Sequence, residues 1–277
     1  MAEVNLRTSL EMATATHTGM VRSHNEDSVN VETDIGLAVL ADGMGGYNAG
    51  EVASGIATAL IATETRQALT RMSPHDLDQN SGEMAAFGLL HDVVVKANSS
   101  IYQSANSQSQ YAGMGTTLVV GLFCDNKLAV AHIGDSRCYR LRDYRLEQIT
   151  RDHSLLQEQI DTGLITKEAA RRSTYKNLVT RALGIEPNVK PEIQVHEVRA
   201  GDLYLMCSDG LNDMVEDKDI ERTLSSLLTN LPFAAAQLVQ MANDAGGRDN
   251  ISVVLVKIKR GFPAGNNWFS KARSWFV

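Results

Sequence analysis

Carboxylates at the ends of apolar runs are the residues of this chain best suited to chemistry. Asp42 follows the apolar stretch 35–40 in ADGMGGYNAG, and Glu26 and Asp27 stand together in RSHNEDSV. Asp135 lies in HIGDSRCY, Asp209 and Asp213 in LMCSDGLND, and Asp249 in GGRDNISVVLV. Taken singly, each fits a turn beside glycine, a cap or the start of a strand. Together they crowd negative charge wherever the fold gathers these ends. Like charges in a half-buried site raise carboxylate pKa values and oppose folding unless a cation compensates them. Hard divalent ions such as Mg²⁺ or Mn²⁺ take such all-oxygen ligation. Gly43, directly after Asp42, leaves room for a backbone carbonyl to act as a further ligand.

Short strands must carry those ends. Segments rich in Val, Ile, Leu and Thr, bounded by Gly, Asn or Asp, fall near 11–17, 35–41, 116–123, 127–133, 136–142, 192–198, 203–208 and 251–258. Three of them are separated only by CDNK at 124–127 and by Gly134-Asp135, which reads as a meander of antiparallel hairpins. Helical periodicity spans 49–71 and 82–105 and recurs near 154–161, 166–171 and 232–245, where Pro232 suits a first turn. The stretch 73–82 is a polar connection. This order predicts one α+β domain over 1–260, a central β-sandwich of two antiparallel sheets flanked by helices, with a small helical insertion. Residues 261–277 form a tail whose Trp268, Phe269, Ala272, Trp275 and Phe276 recur at near-helical spacing. That tail reads as a helix docked on its own domain, with membrane or partner contact as the alternative.

The chain has 277 residues, 43% hydrophobic and 21% charged, enough for a sizeable core. A net charge of −7 argues against nucleic acid as a partner. Cys124, Cys138 and Cys207 show no CxxC spacing and read as reduced core residues. No run approaches the roughly 18 apolar residues that cross a bilayer. The first residues lack a basic region followed by an apolar one, so a cytoplasmic protein is expected.

The motifs RSHNED, ADGMGG, GMGTT, HIGDSR, SDGLND and GGRDN, in this order over residues 22–250, resemble those of metal-dependent serine/threonine protein phosphatases of type 2C in their compact bacterial form. The resemblance implies that Asp42 bridges two Mn²⁺ or Mg²⁺ ions and that the Gly43 carbonyl completes one of them. It implies that Asp209 and Asp249 hold one ion, that Glu26 lies near the other, and that Asp27 acts through water or through another ligand. Arg22 matches the arginine that grips phosphate, a role its forked guanidinium suits. Asp135, with Asp209 and Asp213, matches the set that holds a weaker third metal. Gly113, Gly115 and the threonines of GMGTT look structural. Residues 152–185 correspond to a flap beside the site, whose Arg171, Arg172 and Lys176 meet an acidic phosphopeptide or form a solvated helix face.

The implied partners are phosphorylated protein substrates and an opposing serine/threonine kinase, with the chain acting as a monomer. Met44 departs from many eukaryotic members, which carry at that position a histidine assigned as the acid for the leaving serine; bacterial members commonly read DGMGG. Methionine cannot donate a proton. Water held by the metals, His24 or His153 is left to supply it. Two other readings compete: a catalytically silent binding fold, which should have lost metal ligands, and a two-metal hydrolase of small phosphorylated molecules.

Overall fold

The computed structural model of the protein describes residues 6–46, 49–77, 82–166, 169 and 178–263. The basic flap residues Arg171, Arg172 and Lys176, most of the helix expected at 166–171, and the tail from 264 onward lie outside the described residues.

Two antiparallel sheets face each other. One has the order β1 (Leu10–His17), β11 (Ile251–Ile258), β10 (Leu203–Cys207), β7 (Arg137–Arg142), β8 (Arg145–Gln148). The other runs β2 (Asp27–Glu32), β3 (Leu37–Met44), β5 (Leu118–Cys124), β6 (Lys127–Ile133), β9 (Glu192–Glu197), and the two-residue β4 (Gly115–Thr116) pairs with the end of β3. Helices α2 (Ala49–Leu69) and α3 (Ala85–Ser107) cover the second sheet. The short α5 (Asp209–Asn212), α6 (Asp217–Ser226) and α7 (Leu231–Asp244) cover the first. Two further short α-helices are α1 (Leu6–Ser9) ahead of β1 and α4 (Leu155–Asp161) at the start of the flap, and a 3-10 turn spans Ser109–Tyr111.

Each central strand is buried on both faces, which explains why apolar runs rather than alternation mark them. In β3, Leu37, Val39 and Ala41 pack under the helices, whereas Ala38 and Leu40 enter the layer between the sheets. In β10, Leu203, Leu205 and Cys207 face the helices and Tyr204 and Met206 face inward. Phe123 and Tyr204 meet across the sandwich edge to face, with ring centroids 5.5 Å apart. Helix α2 turns an alanine-rich face (Ala49, Ala53, Ala57, Ile61) to the sheet and so lies close to it. Phe262, just past the expected domain end, is also buried between the sheets. The cysteines are free and buried.

The meander expectation needs correction. Asp125 and Asn126, both with positive φ, form the tight hairpin between β5 and β6. The next connection is no hairpin, because β6 and β7 belong to different sheets. The chain crosses the sandwich at Gly134, whose φ of +102° and whose missing Cβ, which would lie 2.7 Å from Thr117, allow the crossing. Asp135 is therefore delivered to the end of the sandwich between the two sheets.

Candidate active site

The acidic residues converge at that end. Asp27 of β2 is the direct partner of Asp42 in β3. Asp209 begins α5 directly after β10, and Asp213 caps its end. Asp249 lies just ahead of β11, which pairs with β10. Burial first, and then the charges of Asp27, Asp209, Asp135 and Asp249, hold the Asp42 carboxyl well above the usual carboxylate range. Asp209 is raised in the same way by burial and by Asp135, Asp249, Asp213 and Asp27. Burial also pushes Asp27 up to about 6 and Asp135 up to about 7. Glu26 is raised chiefly by burial, with Arg22 opposing.

These residues suit a divalent cation on their own chemistry. Every donor is oxygen, the carboxylates repel one another, and Asp27 Oδ1 is buried without a hydrogen-bond donor while Asp27 Oδ2 accepts from Ser208 Oγ at 2.8 Å. The backbone beneath is fixed. Asp42 N–H donates to Thr117 Oγ1 at 3.1 Å, and Asp42 O accepts from Thr117 N and Thr116 Oγ1, each at 2.8 Å. Gly43 N–H donates to Glu26 O at 3.1 Å, and a Cβ on Gly43 would lie 2.1 Å from Gly50 O at the start of α2. Glycine at 43 is thus required by close packing of strand against helix. Gly45, at φ +155°, turns the chain toward α2, whereas Gly46 has open space around it.

Arg22 Nη2 contacts Asp249 Oδ2 at 2.7 Å, and Asp249 Oδ1 accepts from Asn250 N–H at 2.8 Å. Asp249 first, and also Glu26, raise the pKa of Arg22, and Arg22 in turn lowers that of Glu26, so the guanidinium lies at the same acidic centre. Asp213 is more exposed and acts on Asp135 and Asp209. Met44, paired with Gly115, ends β3 with no proton to give. His24 is exposed, and its carbonyl is anchored by Asn250 Nδ2 at 2.8 Å.

His153 does not fit the role of proton donor to a leaving group. It is buried, its Nδ1 accepts from Gly134 N–H at 3.2 Å, and its Nε2 faces Glu192 Oε2 at 3.5 Å. Both ring nitrogens are turned to protein groups. Burial, then His132 and Arg181, drive its pKa down to about 4.

Asn250 and Ser208 brace the site, a part the sequence reading did not assign to them. Asn250 ties Thr18 O, His24 O and Glu26 N–H to the start of β11, and so shapes the loop bearing Arg22 and Glu26. Ser208 orients Asp27 and accepts from Ser252 N–H at 2.9 Å. Both stand inside quoted motifs, Ser208 opening SDGLND and Asn250 closing GGRDN, but nothing local shows which distant groups they bind.

A two-sheet sandwich covered by helices on both faces, with partly buried carboxylates gathered at one end, forms a site suited to divalent cations. The family model described as Protein phosphatase 2C matches residues 17–250, and the chain belongs to that family. It is 40% identical over 259 residues to "Serine/threonine protein phosphatase PstP" of Mycobacterium tuberculosis, covering 93% of this chain and 46% of that one. The chain thus spans about half the length of that relative. It is 36% identical to "Serine/threonine phosphatase stp" of Listeria monocytogenes, covering 87% of this chain and 93% of the relative. Among solved structures, the catalytic domain of PstP in complex with two manganese ions superposes with a TM-score of 0.78 at 39% identity, covering 90% of this chain and 98% of that one. The fold so matched is the α+β sandwich expected from the sequence.

Proposed function

We propose that the protein is a metal-dependent phosphatase that removes phosphate from serine and threonine in other proteins, opposing a serine/threonine kinase of the same cell. The observation that carries this reading is the gathering of Asp27, Asp42, Asp135 and Asp209, all raised by burial and mutual repulsion, with Arg22 and Asp249 beside them. Two Mn²⁺ or Mg²⁺ ions would suit the donors: Asp42, the Gly43 carbonyl, Glu26, Asp209 and Asp249 would hold them, with Asp27 acting through water. Asp135, Asp209 and Asp213 suit a weaker third. When bound, such a pair supplies Lewis acidity at the phosphoryl group and lowers the pKa of the attacking water.

The chain's own residues do the rest. Arg22 offers paired donors to the phosphoryl oxygens. Thr116, Thr117 and the Glu26–Gly43 contact hold Asp42 and Gly43 in place. A water oxygen bonds to phosphorus, the bond to the seryl or threonyl oxygen breaks, and that oxygen takes a proton from water or from His24. Phosphate and the free hydroxyl leave.

The names of the relatives support serine/threonine phosphatase activity. No helix among the described residues is long and apolar enough to cross a membrane. The net charge of −7 argues against a nucleic-acid partner, and the proposal takes the chain as a monomer acting on phosphoproteins in the cytoplasm. The test is a panel of phosphoserine and phosphothreonine peptides set against small phosphate esters, with Mn²⁺ and with Mg²⁺. Faster turnover of the peptides is expected, and a clear preference for small phosphorylated metabolites would overturn the proposal.

A further inference from the structure

Two consecutive residues at the base of the flap grip the loop that carries Asp135. His153 binds Gly134 twice: its N–H donates to Gly134 O at 2.9 Å, and its Nδ1 accepts from Gly134 N–H at 3.2 Å. Asp152 accepts from the Arg137 guanidinium, with Nη2 to Oδ2 at 2.6 Å and Nε to Oδ1 at 2.9 Å. Gly134 and Arg137 bracket Asp135-Ser136. The same segment holds the returning end of the flap, since Thr180 N–H donates to His153 O at 2.8 Å and Leu155 N–H to Leu178 O at 3.0 Å. A cleft of about 360 Å³ opens between this base and α5, lined by Asp135, Asp152, Ser154, Asp209 and Asp213 among others.

The chemistry of the His153 ring decides what it can be. His132, His153 and Glu192 lie close enough together to hold a metal ion. Yet the Gly134 N–H uses the Nδ1 lone pair of His153, so the ring proton sits on Nε2, toward Glu192. His132 stacks on His153 at 4.7 Å, and its Nε2 lies 2.8 Å from the Arg151 carbonyl, which only accepts. With Nδ1 held by the Gly134 N–H and Nε2 only near Glu192, without a hydrogen bond of its own, the ring is tied to the Asp135 loop on one side. The grip also reaches inward: Ser136 Oγ meets Thr117 Oγ1 at 2.7 Å, and Thr117 Oγ1 accepts from Asp42 N–H.

We propose that His153 is a positioning residue that fixes Asp135 to the base of the flap and so sets the affinity of the cation site formed by Asp135, Asp209 and Asp213. This rests on the reading of those three carboxylates as a cation site.

The test compares His153→Ala, His153→Gln and His153→Asn with Asp135→Asn and the double variant Asp135→Asn/His153→Ala. Asparagine can place an acceptor near the position of Nδ1, whereas glutamine reaches toward that of Nε2. Mn²⁺ titration by calorimetry should show the weakest site of His153→Ala and His153→Gln loosened roughly tenfold, as expected for one lost hydrogen bond, with the tighter sites unchanged. Amide hydrogen exchange at Gly134, measured without metal, should quicken in the same two variants. His153→Asn should recover most of both effects. The double variant should match Asp135→Asn alone, since the histidine acts through that carboxylate. A wild-type Mn²⁺ response in both His153→Ala and His153→Gln, beside an impaired Asp135→Asn, would overturn the role of His153 alone. A wild-type response in Asp135→Asn would overturn the cation-site reading and this proposal with it.

Discussion

Arg22 Nη2 lies 2.7 Å from Asp249 Oδ2, so the cation assigned to the phosphate is neutralised by a carboxylate assigned to a metal. Arg22 is 51% exposed and Asp249 27%, so the pair itself contributes little to stability. Its consequence is competition. A divalent ion held by Asp249 would compete for that carboxylate, leaving the guanidinium available to a phosphoryl group.

Arg22→Ala should therefore lower kcat/KM on a phosphopeptide by about 10²-fold, the scale seen when a donor to a developing anion is removed. Metal affinity should tighten slightly, because Asp249 loses its competitor. Arg22→Lys should recover only part of the rate, since an ammonium lacks the fork. Steady-state kinetics with a parallel calorimetric metal titration checks both, and an unchanged kcat/KM in Arg22→Ala would remove the residue from substrate binding.

Asp135 gives a pH-dependent prediction. Its folded pKa of about 7, raised by burial and then by Asp152, lies above the unfolded value. The folded chain therefore holds its proton at higher pH, and stability falls as pH rises from the unfolded value of about 4 through about 7. Chelated Asp135→Asn should melt above the chelated wild type at pH 8, by roughly 2–4 °C per kcal/mol recovered. The gap should close as pH falls toward 4. His132 and His153, whose lowered pKa values act in the opposite sense, are common to both proteins and largely cancel in the difference. A gap that did not change with pH would contradict the electrostatic account.

The leaving-group proton is tested at His24 and Met44. General acid catalysis is typically worth about 10²–10⁴-fold, and an alkyl leaving group needs it more than an aryl one. If His24 is the donor, His24→Ala should lose more rate on a phosphoserine peptide than on p-nitrophenyl phosphate. Equal losses would assign the proton to water. Met44→His should favour the alkyl ester selectively if a donor at the end of β3 is what the site lacks.

Much of the architecture was legible because buried strands and their polar ends leave local signals. The runs at 35–41, 203–208 and 251–258 become β3, β10 and β11 nearly as read, and the acidic residue at each mouth lands at one end of the sandwich. Strand β2 was missed, since DSVNVE places only Val29 and Val31 against the inter-sheet core. Strand β8 and helix α6 were missed too: the turn at Asp143-Tyr144 lacks glycine, and α6 buries only Ile220 and Leu224. The crossing at Gly134 was invisible, because hairpins and sheet changes both use a glycine beside a carboxylate. His153 looked like a candidate acid for the same reason: its Gly134 partner is 19 residues away, and no local pattern encodes that hydrogen bond.

The central claim is that the carboxylates around Asp42 work by holding divalent ions. The most direct measurement is the rate of phosphoserine-peptide hydrolysis by wild type and Asp42→Asn, each in excess Mn²⁺ and each in excess EDTA, with melting temperatures recorded alongside. The account predicts turnover only for the wild type with Mn²⁺, and an Asp42→Asn protein that stays folded and, in EDTA, melts at or above the wild type. Full-rate hydrolysis in EDTA, or a folded Asp42→Asn that turns over like the wild type, would contradict it.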